Sequence, residues 1–191
     1  MGEIELLKQL KDPKTKQKAF SFIVAQYSKP LYWKIRSIVL YHEDADDVLQ
    51  NTFLKAWKNI DTFKGSSQIS TWLYRIAINE SLDFLRNRRS LANVESTEGN
   101  GVAQQLMADE YFEGNEGEAL LQEAIAALPE VQRTTFLLRY YDEMKYAQMS
   151  KLLDTSEGAL KASYHLATKK IQEYIKRNKL FLVFALNLLS F

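Results

Sequence analysis

The sequence predicts an all-α protein of two small helical domains joined by an acidic, flexible connector. Three observations carry this expectation. Apolar residues recur at helical spacing in almost every segment, alternating apolar/polar runs bounded by turn residues are missing, and charge is spread very unevenly along the 191 residues. The net charge is only +1, yet residues 1–89 hold 15 Lys/Arg against 10 Asp/Glu and residues 133–191 hold 10 against 5. Between them, residues 90–132 carry nine acids and no Lys or Arg. Two basic halves around an acidic centre suit two modules that contact a polyanion, with a connector that belongs to neither.

Taken in order, helical patterns cover residues 16–41, 44–60 and 70–89. The strongest is "DADDVLQNTFLKAWKNI", in which Ala45, Val48, Leu49, Thr52, Phe53, Ala56, Trp57 and Ile60 form one stripe and Asp44 is a natural N-cap. The first domain is placed at 1–92. Residues 95–118 hold four of the seven glycines, many acids and little periodicity, so a linker is placed at 93–116. The second domain, 117–178, contains helical segments at 117–127, 130–141, 146–153 and 156–176. Pro129 suits a helix start, and Asp154, Thr155 and Ser156 supply turn and capping chemistry, which makes the last two segments a helix-turn-helix candidate. In the tail, residues 179–191, ten of the last twelve side chains are apolar. About 20 residues are needed to span a bilayer, so no membrane span is expected and the tail should be covered by one of the domains or a partner protein.

Composition excludes several classes of function. With 46% apolar and 12% aromatic residues there is ample material for two cores. The absence of cysteine rules out disulfides and cysteine-ligated metal, and "MGEIELLKQLKDPKTKQ" lacks the apolar stretch of a secretory signal, so a cytoplasmic location is expected. Two histidines, His42 and His165, and no metal-spaced carboxylates leave no catalytic constellation: no enzyme, cofactor or metal is expected.

In the segment "EGALKASYHLATKKIQEYI", residues 157–175, Leu160, Tyr164, Ala167, Ile171 and Ile175 form an edge suited to burial, while Lys161, His165, Thr168, Lys169 and Gln172 line another. If this is the second helix of a helix-turn-helix, Glu157, Lys161, Ser163 and His165 face the major groove. Lys161 and Lys169 can neutralise phosphates, and Lys161 can reach guanine. From the pattern alone a merely solvated helix face remains an equal alternative.

Two segments add a resemblance. "DADDVLQNTFLKAWKNIDTFKGSSQISTWLYRIAINESLDFLRNRRS", residues 44–90, resembles the second conserved region of bacterial sigma factors, through D-x-x-D-x-x-Q-x-x-F-x-x-A-W, F-x-G, S-T-W-L-Y-R-I-A-x-N and D-x-L-R. "LPEVQRTTFLLRYYDEMKYAQMSKLLDTSEGALKASYHLATKKIQEYI", residues 128–175, resembles their fourth region. The order of the two, with no third-region domain between them, is that of the extracytoplasmic-function (ECF) group, and about 140 of 191 residues are covered. The resemblance implies an initiation subunit that binds core RNA polymerase through the beta-prime clamp helices and the beta flap. Its first domain would open the minus-ten promoter element and its second would read the minus-thirty-five element, with an anti-sigma factor as a further kind of partner.

Carried over residue by residue, the resemblance assigns Asp47, Gln50, Asn51, Phe53, Leu54 and Trp57 to polymerase binding. The apolar stripe argues that Phe53 and Trp57 are core, leaving Asp47, Gln50, Asn51 and Leu54 as the contact face. Phe63, Lys64, Ser66, Ser67 and Gln68 fall on the loop implied to capture an unstacked minus-ten base, which needs an apolar wall and hydrogen-bond partners. Trp72 is a candidate wedge or, at a helix start flanked by Leu73 and Ile76, a core residue, and Arg75, Asn79, Arg86, Arg88 and Arg89 would track the backbone, the last three being otherwise a solvated helix end. Thr155, Ser156, Glu157, Lys161, Ser163, Tyr164, His165 and Lys169 fall at the minus-thirty-five site. Many relatives carry arginines where this chain has Ser163, Leu166 and Thr168, so the promoter sequence does not transfer by analogy. Two other readings compete: an operator-binding regulator, which leaves 44–90 unexplained, and a helical adaptor whose basic faces meet acidic proteins.

Overall fold

The computed structural model describes the backbone of residues 2–63, 65, 67–91 and 116–188, with side chains described at 2, 5–63, 65, 67–88 and 117–178. Most of the expected linker, 93–116, and the side chains of the apolar tail lie outside the described residues. The chain divides into two compact units, Met1–Val94 and Glu95–Phe191. No strand occurs among the described residues.

In the first unit, α1 (Glu3–Lys11), α2 (Lys16–Val39), α3 (His42–Asn59) and α4 (Ile69–Leu91) are joined by short turns, one of them a 3-10 turn over Ile60–Thr62. Helix α2 packs against each of the other three. Its Ile23, Leu31, Tyr32, Ile35 and Ile38 are fully buried, meeting Ala45, Val48 and Ala56 of α3 and Leu73, Ala77 and Ile78 of α4 in the core. Helix α1 was not anticipated, because nine residues give too few turns for a periodic signal; Leu6 and Leu10, one turn apart, anchor it.

The expected N-cap at Asp44 is corrected. Leu40 ends α2 at φ 75 with its N–H donating to the Arg36 carbonyl, and the chain turns so sharply that α3 begins at His42 with Tyr41 at the cap position. Asp44 lies in the first turn of α3, where a carboxylate favours the helix dipole, and it accepts from Arg88 Nη1 at 2.9 Å.

The second unit contains α5 (Glu116–Ala126), α6 (Glu130–Tyr140), α7 (Tyr146–Leu153) and α8 (Glu157–Leu188). Helix α8 is the common partner of the other three, with Leu160, Ala167 and Ile171 in a core shared with Ile125, Phe136, Leu137, Leu138 and Met149. Buried Arg133 donates to the carbonyls of Ala126 and Leu128 and so fastens the α5–α6 turn, where Pro129 occupies the N-cap position. The α7–α8 turn is built as its composition suggests: Asp154 adopts the left-handed conformation (φ 49, ψ 49), and Ser156 Oγ accepts the Ala159 N–H at 3.3 Å as a helix cap.

Helix α8 runs past the expected end at 176 and continues to Leu188. Residues 177–188 contain no Gly or Pro to stop it. Beyond residue 179 almost every side chain is apolar, which erases the amphipathic period without weakening helix propensity. Among the described residues no helix is long and apolar enough to cross a membrane.

The left-handed Asp154 generates a prediction. Asp154→Val should lower stability by about 1–2 kcal/mol, because a β-branched side chain is strained at that backbone geometry, whereas Asp154→Gly should be neutral or slightly stabilising. Urea denaturation of the two variants checks the contrast.

Candidate nucleic-acid and protein interfaces

On α3, burial of Ala45, Val48, Thr52 and Ala56 turns the opposite face outward, and Asp47, Gln50, Asn51 and Leu54 are all exposed on it. The expectation that Trp57 is core is corrected: it is 38% exposed, beside Leu54 at 50%. Its ring is supported from α2 rather than enclosed, with Phe20 at 4.9 Å in an edge-on contact and Lys16 Nζ 5.1 Å from the ring centroid. Phe53 is half-buried, edge-on to the same Phe20 at 6.5 Å. The face therefore combines an apolar centre of Leu54 and Trp57 with the polar groups of Asp47, Gln50 and Asn51, the composition of a protein-binding surface. Phe20 and Phe22, the latter 40% exposed, were not singled out in the sequence.

Two ion pairs fix α3 against α4. Lys55 pairs with Glu80, whose hydrogen bond holds the ammonium pKa above its usual value. Arg88 pairs with Asp44, and its guanidinium lies 5.4 Å from the Tyr41 ring centroid. Burial pushes the Asp44 carboxyl up, and the Arg88 charge opposes that shift.

In the loop between the 3-10 turn and α4, Phe63 is only 7% exposed and its ring lies 5.0 Å from Trp72. Half-buried Trp72 is thus the member of this aromatic pair with more open surface, and Ser67 and Gln68 are exposed beside it. Gly65 adopts φ +71, a conformation that strains other residues, and a Cβ there would also press on Leu7 Cδ1 of α1 at 3.1 Å. Lys64 and Ser66, and the Arg89 side chain, lie outside the described residues. Trp72, Arg75, Asn79 and Arg86 follow one another along a single stripe of α4 at helical spacing. Arg75 is exposed, Asn79 half-buried, and Arg86 pairs with Asp83 at 2.9 Å.

On α8, Glu157, Lys161, His165 and Lys169 are exposed at four-residue intervals, opposite the buried Leu160, Ala167 and Ile171. Leu166, 46% exposed, shares that outer side. Ser163 is half-buried, as is Tyr164, which stacks on Phe136 at 5.8 Å. Thr168, expected on the polar edge, is also half-buried and donates its hydroxyl to the Tyr164 carbonyl at 2.9 Å. The hydroxyl of Thr155 donates to the Leu153 carbonyl at 3.0 Å, and that of Ser156 caps α8, so both serve the turn. Lys169 faces Glu173 at 4.0 Å, whereas Lys161 Nζ lies 5.6 Å from the centroid of the Tyr146 ring.

This arrangement, a helical unit with a mixed apolar and polar face followed by a helix-turn-helix with a basic outer edge, is that of a DNA-binding transcription protein. Residues 23–91 match the sequence family Sigma-70 region 2, and residues 118–171 match Sigma-70, region 4. The chain is 30% identical over 179 residues to the ECF RNA polymerase sigma factor SigW of Bacillus subtilis (strain 168), covering 89% of this chain and 95% of that protein. It is 29% identical over 177 residues to the ECF RNA polymerase sigma-E factor of Escherichia coli (strain K12), covering 84% and 91% respectively. Two solved structures share the fold. They are the sigma factor RpoE in complex with the anti-sigma factor NepR from Bartonella quintana (TM-score 0.57, 21% identity, 83% of this chain and 98% of that one) and CnrH in complex with the cytosolic domain of CnrY (TM-score 0.57, 23% identity, 92% and 97%).

The chain belongs to the ECF group of RNA polymerase sigma factors. It binds core RNA polymerase and directs promoter-specific initiation of transcription.

The support of Trp57 and Phe53 by one α2 ring generates a second prediction. Phe20→Ala should cost about 2–4 kcal/mol, because two aromatic neighbours lose their contact with it. Leu54→Ala, at a half-exposed site, should change stability by less than about 0.5 kcal/mol. Thermal and urea unfolding of the two variants check this.

Proposed function

We propose that the two units divide the work of initiation. In the first, Asp47, Gln50, Asn51 and Leu54, with the supported rings of Trp57 and Phe53, form the surface for the polymerase clamp helices. The loop of Phe63, Lys64, Ser66, Ser67 and Gln68 together with Trp72 holds and flanks the opened minus-ten element, while Arg75, Asn79, Arg86, Arg88 and Arg89 follow its backbone. In the second, α8 enters the major groove of the minus-thirty-five element. Lys161 and His165 reach bases or phosphates, Glu157 lies at the leading end, and Lys169 meets the backbone further along. Thr155, Ser156, Ser163 and Tyr164 act chiefly by setting the turn and seating the helix. The second unit also meets the beta flap.

The protein does no chemistry of its own in this reading and works in the cytoplasm, where polymerase and chromosome are. Because the RpoE structure is a complex with the anti-sigma factor NepR and the CnrH structure one with the cytosolic domain of CnrY, an anti-sigma factor is proposed as a partner of this chain.

The observation that carries the reading is the division of α8 into a buried stripe through Leu160, Ala167 and Ile171 and an exposed edge through Lys161 and His165. Lys161→Ala and His165→Ala should each weaken duplex promoter binding, by roughly 1–3 kcal/mol where the side chain contacts a base and less where it meets only phosphate. Parent-like binding and transcription by both variants would contradict the assignment of α8. Replacing Asp47 and Gln50 together with Ala should abolish association with core polymerase while the melting temperature hardly moves, since exposed polar substitutions shift stability by less than about 0.5 kcal/mol. Retained co-purification with core would remove this face from the interface.

A further inference from the structure

Tyr146 is the first residue of α7 and is half-buried. Two cations from two other helices lie over its ring: Lys161 Nζ of α8 at 5.6 Å from the centroid and Arg139 Cζ of α6 at 5.4 Å. Both distances are within the range in which the ring quadrupole attracts a cation. Arg139 is committed elsewhere as well, donating to the carbonyls of Glu143 and Met144 in the α6–α7 loop at 3.2 and 3.3 Å. Three helices of the second unit thus meet at one aromatic ring, beside the lysine to which the proposed function gives base or phosphate contact.

We propose that Tyr146 is a positioning residue for promoter recognition, its ring holding Lys161 in place for DNA without neutralising the charge. The contrast with other basic candidates carries the argument. Lys169 faces Glu173, Arg86 faces Asp83 and Arg88 faces Asp44, so a phosphate must compete with a carboxylate for each. An aromatic face restrains the ammonium yet leaves its full positive charge and its donors for an incoming phosphate or guanine edge. An unrestrained lysine gives up its rotamer freedom on binding, and one already held against a ring gives up less. Arg139 fixes the other side of the arrangement by tying the loop ahead of Tyr146, in which Glu143 is held at φ 51.

The inference rests on the assignment of α8 to duplex recognition, and the test separates the two. Holoenzyme assembled from core polymerase and the full chain is titrated with promoter duplex for the parent, Tyr146→Phe, Tyr146→Leu, Lys161→Ala and the Tyr146→Leu/Lys161→Ala double variant. Tyr146→Phe keeps the ring and should bind within about twofold of the parent, whereas Tyr146→Leu should lose between about threefold and tenfold. Core association should not change. Because the ring acts through Lys161, the double variant should bind no more weakly than Lys161→Ala alone. Should Tyr146→Leu fail to fold, Tyr146→Met, closer in volume, takes its place in the same cycle. Parent-like binding by Lys161→Ala would take Lys161 out of the DNA contact and overturn the positioning role with it, and parent-like binding by His165→Ala as well would overturn the α8 assignment itself. A weakened Lys161→Ala combined with a parent-like Tyr146→Leu, or with losses that multiply in the double variant, would overturn the positioning role.

Discussion

Leu160, Ala167 and Ile171 are withdrawn from water almost completely, and because α8 is one continuous helix their burial settles the direction of every other side chain on it. Turning the helix to expose this stripe would place three apolar residues in water and carry Lys161 and His165 into the core, which burial energetics forbid. The exposed edge of Lys161 and His165 is therefore fixed by the buried stripe and not by any contact of its own. The same constraint operates on α3, where burying Ala45, Val48, Thr52 and Ala56 presents Asp47, Gln50, Asn51 and Leu54 outward.

Around these faces the protein uses two ways of holding exposed groups. Carboxylates hold Arg86, Arg88 and Lys55, fixing geometry at the cost of partly neutralising each cation. Aromatic rings hold others: Phe20 supports Trp57 and Phe53, and Tyr146 lies beside Lys161 and Arg139, while Lys16 has both kinds of partner, the Trp57 ring and an ion pair with Asp61 at 2.7 Å. Ring support leaves a charge or an apolar surface available to a partner, and it occurs on the exposed faces of α3 and α8. The Lys55–Glu80 and Arg88–Asp44 pairs join α3 to α4, whereas Arg86–Asp83 lies within α4.

The helix-turn-helix was legible because its signals are local and redundant: helical period on both sides, Asp154 in a position that tolerates the left-handed conformation, and Ser156 at the cap. The division into two units was legible in the uneven charge together with the glycine-rich, aperiodic segment between the basic halves. Features set by tertiary packing were not. Trp57 shares the period of a buried stripe, yet it sits at the stripe's outer edge, where α2 offers Phe20 as a support instead of an enclosure. The start of α3 was misplaced because Leu40, a residue with no sequence signature for a left-handed turn, reverses the chain there. Thr168 belongs to the buried flank because its hydroxyl finds a backbone carbonyl one turn earlier, which polarity by itself does not indicate. The role proposed for Tyr146 depends on where Lys161 and Arg139 end up in space, 15 and 7 residues away along the chain.

The central claim is that these two helical units make core polymerase start at chosen sites. Run-off transcription by core polymerase on fragmented DNA of the source organism, with and without the purified chain, tests it most directly. The account predicts discrete transcripts that require the chain, whose start points lie downstream of a shared pair of sequence elements. Transcripts that are the same with and without the chain, or chain-dependent starts with no common upstream sequence, would contradict it.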